Sequence, residues 1–170
     1  MVTPVKRSHL VIGKVLALAL VSLISALSSF LGLIFSLPSL MGVEFVALPY
    51  GVGEYAALLA MIVLTVLLFT VILTIISTYA KSVKEASGLS VPVMVLILVL
   101  SLASSIVPVS GMVGYCIPLF NVVLCVTSIV AMEFSLVGFL LTLAINTALI
   151  AAGVVALVKM FDSEKVIFNR

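Results

Sequence analysis

Long apolar runs broken by only three polar islands leave this chain few ways to fold. The central island, Ser77 to Pro92 with the sequence STYAKSVKEASGLSVP, carries Lys81, Lys84 and Glu85 between two such runs. Lysine and arginine beside apolar spans are retained on the cytoplasmic side of a membrane. The island is therefore expected to be a cytoplasmic loop, and the sides of the other segments follow by alternation.

Composition removes the soluble alternatives. Of the 170 residues, 65% are hydrophobic and 8% are charged, Trp is absent, and mean hydropathy is +1.54. A soluble domain of this size cannot bury that much apolar surface. The chain is read as a multi-pass integral protein of the cell membrane with the lipid bilayer as its main partner. Its net charge of +2 comes from eight basic residues gathered at span ends with no basic stripe, which argues against nucleic acid as a partner. Cys116 and Cys125 lie nine residues apart with no CxxC and no nearby His. That spacing points to two free, apolar-type thiols and to neither a metal site nor a redox motif.

The segment Met1 to Lys14 holds Lys6, Arg7, His9 and Lys14 and belongs in the cytoplasm by the same charge rule. The first span, Val15 to Leu37, has 23 residues, enough for a crossing that needs about 20 and too long for a signal-peptide core. It is read as a retained signal anchor. Ser22, Ser25, Ser29, Gly32 and Ser36 recur at spacings of 3, 4, 3 and 4, a small-residue face on which another helix approaches closely. Pro38 is expected to end that helix, with Ser39 to Glu54 forming an outside loop. In the second span, Tyr55 to Tyr79, residues Thr70, Thr74, Ser77 and Thr78 share about a quarter-turn and are expected to face a helix bundle. The third span runs from about Leu89 to Val107, with Ser101, Ser104 and Ser105 toward its outer end.

The apolar part of the next segment, Ile117 to Met132, has 16 residues, and Pro108, Gly111, Gly114 and Pro118 interrupt what precedes it. If it crossed, Lys159, Lys165 and Arg170 would lie outside. If it enters and returns on the outer side, all eight Lys and Arg residues are cytoplasmic, with Glu44, Glu54 and Glu133 the charges outside. The charge bias selects a re-entrant helical segment, which must be buried in protein to satisfy its backbone. The last span, Leu136 to Val158, places Gly138, Thr142, Asn146, Leu149 and Gly153 on one face. Asn146 is read either as an interhelical hydrogen-bonding group or as a contact in a translocation path.

No Asp, Glu, Lys, Arg or His occupies the middle of any span, so the chain carries no proton relay of its own. It has no GxxxxGK[ST], HExxH or GxSxG motif. The expectation is a protein that is not an enzyme, with no catalytic, cofactor-binding or metal-binding residues. If it transports anything, the energy comes from another polypeptide.

Four segments resemble a known family. TPVKRSHLVIGKVLALALV, with Thr3, Pro4, Lys6, Arg7, Gly13 and Lys14, is similar to the basic segment before a membrane helix in type-2 ABC exporter permeases. ISTYAKSVKEASGLSVPVM resembles their cytoplasmic loop, especially in the sodium-extruding subgroup, through Ala80, Lys81, Lys84, Glu85 and Ala86. IPLFNVVL, with Pro118, Asn121 and Leu124, is similar to the outer re-entrant segment, and VKMFDSEKVIF to the C-terminal tail. The resemblance implies the C-terminal portion of a permease subunit that works with a separate ABC ATP-binding subunit. A second permease copy, or a chain supplying the missing spans, would complete the path. It implies that Thr3, Pro4, Lys6, Arg7, Lys81, Lys84 and Glu85 lie near the ATPase, and that ATP is bound only by that partner.

The sequence-based reading is a single transmembrane domain over residues 1–170. It is an all-α polytopic bundle of four spans (15–37, 55–79, 89–107 and 136–158) and a re-entrant segment (117–132), with both termini cytoplasmic. Thr70, Thr74, Asn121, Thr142 and Asn146 are the candidates for a path or for helix packing. The other function considered is a non-transporting membrane scaffold or accessory subunit that binds a partner through its small-residue faces.

Overall fold

The computed structural model describes residues 7–42, 50–106 and 113–162, and within them the chain is helix and turn. Four helices are long: α1 (Arg7–Met41), α2 (Val52–Tyr79), α3 (Val83–Ile106) and α5 (Leu136–Asp162). Between α3 and α5, among the described residues, come a 3-10 turn, Gly114–Cys116, and the short α4 (Phe120–Val130). The stretches Leu16–Leu40, Val52–Tyr79, Val83–Ser104 and Leu136–Met160 are long and apolar enough to cross a membrane. A helix is suited to that environment because it pairs its own backbone N–H and C=O groups. The all-α class and the four spanning helices agree with the sequence reading.

Several boundaries differ from it, each for a local reason. Pro38 does not end α1 but lies inside it. Its missing N–H costs the bond to the Ile34 carbonyl, and one more turn follows before Gly42, whose φ of 67° supplies the left-handed residue that stops a helix. The polar island is also mostly helical, because only Ala80, Lys81 and Ser82 separate α2 from α3. Two side chains start α3 there. The backbone N–H of Glu85 donates to Oγ of Ser82 at 3.2 Å, and Oε2 of Glu85 accepts from the N–H of Lys81 at 2.8 Å. This is a variant of the capping box, with Ser and Glu three residues apart at a helix start. Pro92 then sits within α3, as Pro38 does in α1.

Lipid removes the water-driven reason for apolar helices to associate, so close packing and buried hydrogen bonds must hold this bundle together. Ala57, Leu58 and Met61 of α2 meet Cys125 and Ile129 of α4 at its centre, flanked by Phe30 and Leu33 of α1 and Phe139 of α5. Ser22 of α1 and Thr70 of α2 share a short hydroxyl–hydroxyl hydrogen bond. Of the serine and glycine row on α1, however, only Ser22 is buried; Ser25, Ser29, Gly32 and Ser36 are exposed. The face that packs inward instead carries Ser22, Ala26, Phe30 and Leu33.

Side-chain contacts fix the path of the segment around α4. Tyr115 lies against Gly138, near the start of α5, and the Tyr50 hydroxyl, next to the start of α2, donates to the Val130 carbonyl at 2.6 Å. Asn121 meets Asn146, eight residues further along α5 than Gly138 and so about 12 Å deeper in the bundle. The Tyr115 ring thus reaches toward Gly138 while its carbonyl stays beside Asn121, the chain turns at Leu119, which has a φ of 69°, and α4 runs from there to Val130. With 11 residues, α4 rises about 16 Å, roughly half of a hydrocarbon core.

Candidate functional site

Beside the turn at Leu119 is a buried polar cluster. Asn121, Thr142 and Asn146 have no exposed surface at all. Nδ2 of Asn146 donates to Oδ1 of Asn121 at 3.1 Å and to the Thr142 carbonyl at 2.8 Å. Nδ2 of Asn121 donates to the Tyr115 carbonyl at 3.2 Å, and the Thr142 hydroxyl donates to the Gly138 carbonyl at 2.8 Å. This assigns the Asn146 amide, because turning it over would set oxygen against both of its present acceptors. The assigned orientation leaves Oδ1 of Asn146 buried with no hydrogen-bond partner. An orphaned acceptor of this kind costs about 1–3 kcal/mol.

On either side of Asn146, α5 comes close to its neighbours at a glycine. A Cβ on Gly138 would lie 2.6 Å from Cε1 of Tyr115, and one on Gly153 would overlap Cγ1 of Val71. The two glycines therefore let α5 settle against the Tyr115 segment and against α2. The cluster's side chains are neutral amides and a hydroxyl; they can lock helices together or hydrogen-bond a small polar group, and they do not move protons at ordinary pH.

The threonines on α2 are satisfied by their own helix. Thr70, Thr74 and Thr78 donate to the carbonyls of Val66, Thr70 and Thr74 at 2.7, 2.6 and 2.8 Å. Thr74 and Thr78 are buried and Thr70 partly so, as a bundle-facing row requires, but Ser77 is exposed and points out of the bundle. On α5, Gly138, Thr142 and Asn146 do face inward, whereas Leu149, on the same face by spacing, is exposed.

A second region lies at the far end, where α2 turns into α3. Lys81, Lys84 and Glu85 are all exposed there. Ser77, Lys81, Ser82, Ala86, Ser87 and Ser90 border a cavity of about 530 Å³. Because α1 packs antiparallel to α2, the start of α1 at Arg7 comes out at this same end. Thr3, Pro4 and Lys6 lie outside the described residues, as does the side chain of Arg7. The sequence reading did not anticipate the pairing of Asn121 with Asn146, the contact of Tyr115 with Gly138, or this cavity. The first had a visible signal, since Asn121 and Asn146 are the only asparagines before Asn169.

No family model, curated protein or solved structure matches this chain.

Proposed function

We propose that this chain is the membrane subunit of an ATP-driven exporter of the type-2 ABC permease kind, working with a separate ATP-binding chain. The observation behind this reading is where the family-like segments fall in the fold. The segment containing Arg7 opens α1 and the segment containing Lys81, Lys84 and Glu85 forms the α2–α3 turn, at one end of the bundle. The segment IPLFN forms the turn before α4 that buries Asn121 against Asn146. In this reading the charged end is cytoplasmic and contacts the ATPase, α4 is re-entrant from the outer side, and both termini are cytoplasmic. The buried amides then stand at the inner limit of the re-entrant loop, where helices of a transporter rearrange around a path.

A scaffold or accessory role is the second reading, favoured by the exposed row Ser25, Ser29, Gly32 and Ser36 on α1, where nothing lies within 4 Å of a Cβ added to Gly32. Affinity capture of the tagged full chain from its native membrane, with mass spectrometry of what accompanies it, separates the two. A P-loop ATPase that is retained by the native chain and lost with Lys84→Glu supports the exporter. Capture without any ATP-binding chain overturns it, and an unrelated membrane protein lost on Gly32→Leu supports the scaffold.

A further inference from the structure

Two cavities lie one behind the other between α2 and α3. The cavity of about 530 Å³ is bordered by Ser77 on α2, Lys81 and Ser82 in the turn, and Ser87 and Ser90 on α3. The next, of about 360 Å³, is bordered by Phe69 and Leu73 on α2 and by Met94, Ile97 and Leu98 on α3. Helical spacing puts both on the same faces. Phe69, Leu73 and Ser77 follow one another at i, i+4 on α2, and Val83, Ser87, Ser90, Met94 and Ile97 recur at spacings of 4, 3, 4 and 3 on α3. The two cavities share no lining residue, but their common faces align them along one furrow, polar beside the charged turn and apolar beyond it.

Each part has a distinct chemistry. Lys81 is the charged residue bordering the polar part. The hydroxyl of Ser82 accepts from the Glu85 N–H and keeps its own proton to donate, whereas Ser87 and Ser90 give theirs to the carbonyls of Val83 and Ala86. The nearby Glu85 carboxylate is held on the Lys81 N–H, and with Lys81 and Lys84 the turn carries a net single positive charge. In the apolar part Leu73, Met94 and Leu98 are exposed along the furrow, so it opens sideways. From Val83 to Leu98 the seam rises about 22 Å, which matches roughly half of a bilayer with its headgroup layer.

We propose that this furrow binds one anionic glycerophospholipid, with its phosphate at Lys81 and Ser82 and an acyl chain along Leu73, Met94 and Ile97. A polar head joined to a hydrocarbon tail is the ligand chemistry that fits a polar cavity continued by an apolar one at a membrane surface, and Lys81 sets the sign of the head. Lys84 and Glu85 do not border the furrow, so the lipid and a protein partner at the turn are not exclusive. The site does not depend on the exporter reading.

The test uses the purified full chain in detergent, with native mass spectrometry for bound lipid and thermal melting for stabilisation. The probes are phosphatidylglycerol, phosphatidylcholine of the same acyl chains, and inorganic phosphate. Phosphatidylglycerol is expected to bind one per chain, about fivefold more tightly than phosphatidylcholine, with that preference lost in Lys81→Ala. Ile97→Trp, which fills the apolar part, is expected to weaken both lipids. Equal binding of the two lipids, or an unchanged preference in Lys81→Ala, overturns the proposal. Stabilisation by inorganic phosphate equal to that by phosphatidylglycerol also overturns it, and assigns the polar part to a soluble anion.

Discussion

Nδ2 of Asn146 lies 3.1 Å from Oδ1 of Asn121, and neither side chain has any exposed surface. This one hydrogen bond joins the first turn of α4 to α5. It is made while the other end of the Asn146 amide, Oδ1, stays without a partner.

The pair predicts an asymmetric mutant cycle. Asn121→Leu takes an acceptor from Asn146 and is expected to destabilise the chain by about 0.5–2 kcal/mol. Asn146→Leu removes the orphaned oxygen but also loses the bond to the Thr142 carbonyl and leaves the buried Oδ1 of Asn121 without a donor, so its cost is expected to be the larger of the two. The double variant should cost less than the sum of the singles. Denaturant unfolding in micelles measures all four corners, and additive costs would mean that the amides are not coupled.

Close approach of α5 to its neighbours predicts which glycines tolerate a methyl group. Gly153→Ala forces Cγ1 of Val71 to move, and Val71 has few rotamers to move into. A loss of about 1–3 kcal/mol is expected, as for other overpacked contacts. Val71→Ala in the Gly153→Ala background should recover most of it. Gly138→Ala meets the rigid ring of Tyr115 and should be the harder to rescue. Gly13→Ala and Gly88→Ala, with nothing within 4 Å of the added carbon, serve as controls.

What the sequence revealed and what it concealed follow from the same physics. The four spans were legible because a chain crossing lipid must be apolar throughout its length, and the runs around Leu16, Val52, Leu89 and Leu136 are. Their ends were not. Pro38 and Pro92 look like helix breakers, yet each removes only one backbone bond, and near Pro38 the helix still runs on to Gly42. The Gly138, Thr142 and Asn146 face was legible from spacing alone, since all three are buried. The serine row of α1 misled because small residues recur on two of its faces, and Ala26, Phe30 and Leu33 decide which one packs. The partner of Asn146 was not legible, because it depends on how α4 packs against α5, a contact between residues 25 apart in sequence.

At the opposite end of α4, the Tyr50 hydroxyl holds the Val130 carbonyl at 2.6 Å. Burial first, and the neighbouring Tyr55 second, raise the Tyr50 pKa above its ordinary value of 10.0. A raised folded-state value means that the neutral phenol is the form the fold favours. Its contribution is therefore fully present below pH 10 and is lost as pH rises through the folded-state value. Melting temperature recorded upward from pH 9 should fall in that window for the native chain. Tyr50→Phe should lower stability at neutral pH by about 0.5–1.5 kcal/mol and flatten the alkaline dependence. An unchanged alkaline slope would remove Tyr50 as its source.

The course of the chain around α4 predicts a labelling pattern that tests the proposed topology. Cys116 and Glu133 lie on either side of α4 in sequence and are both exposed, whereas Cys125 is buried. If α4 enters and returns, Cys116 and a Glu133→Cys thiol in a Cys116→Ser background both react with a membrane-impermeant maleimide added outside intact cells. A Lys81→Cys thiol in the same background should react only after the cells are opened. Cys125, packed against Leu58 and Met61, should react only on unfolding. Labelling of Cys116 and the Glu133→Cys thiol from opposite sides would make α4 a crossing. It would then place Lys159 outside and reverse the charge argument from which the topology began.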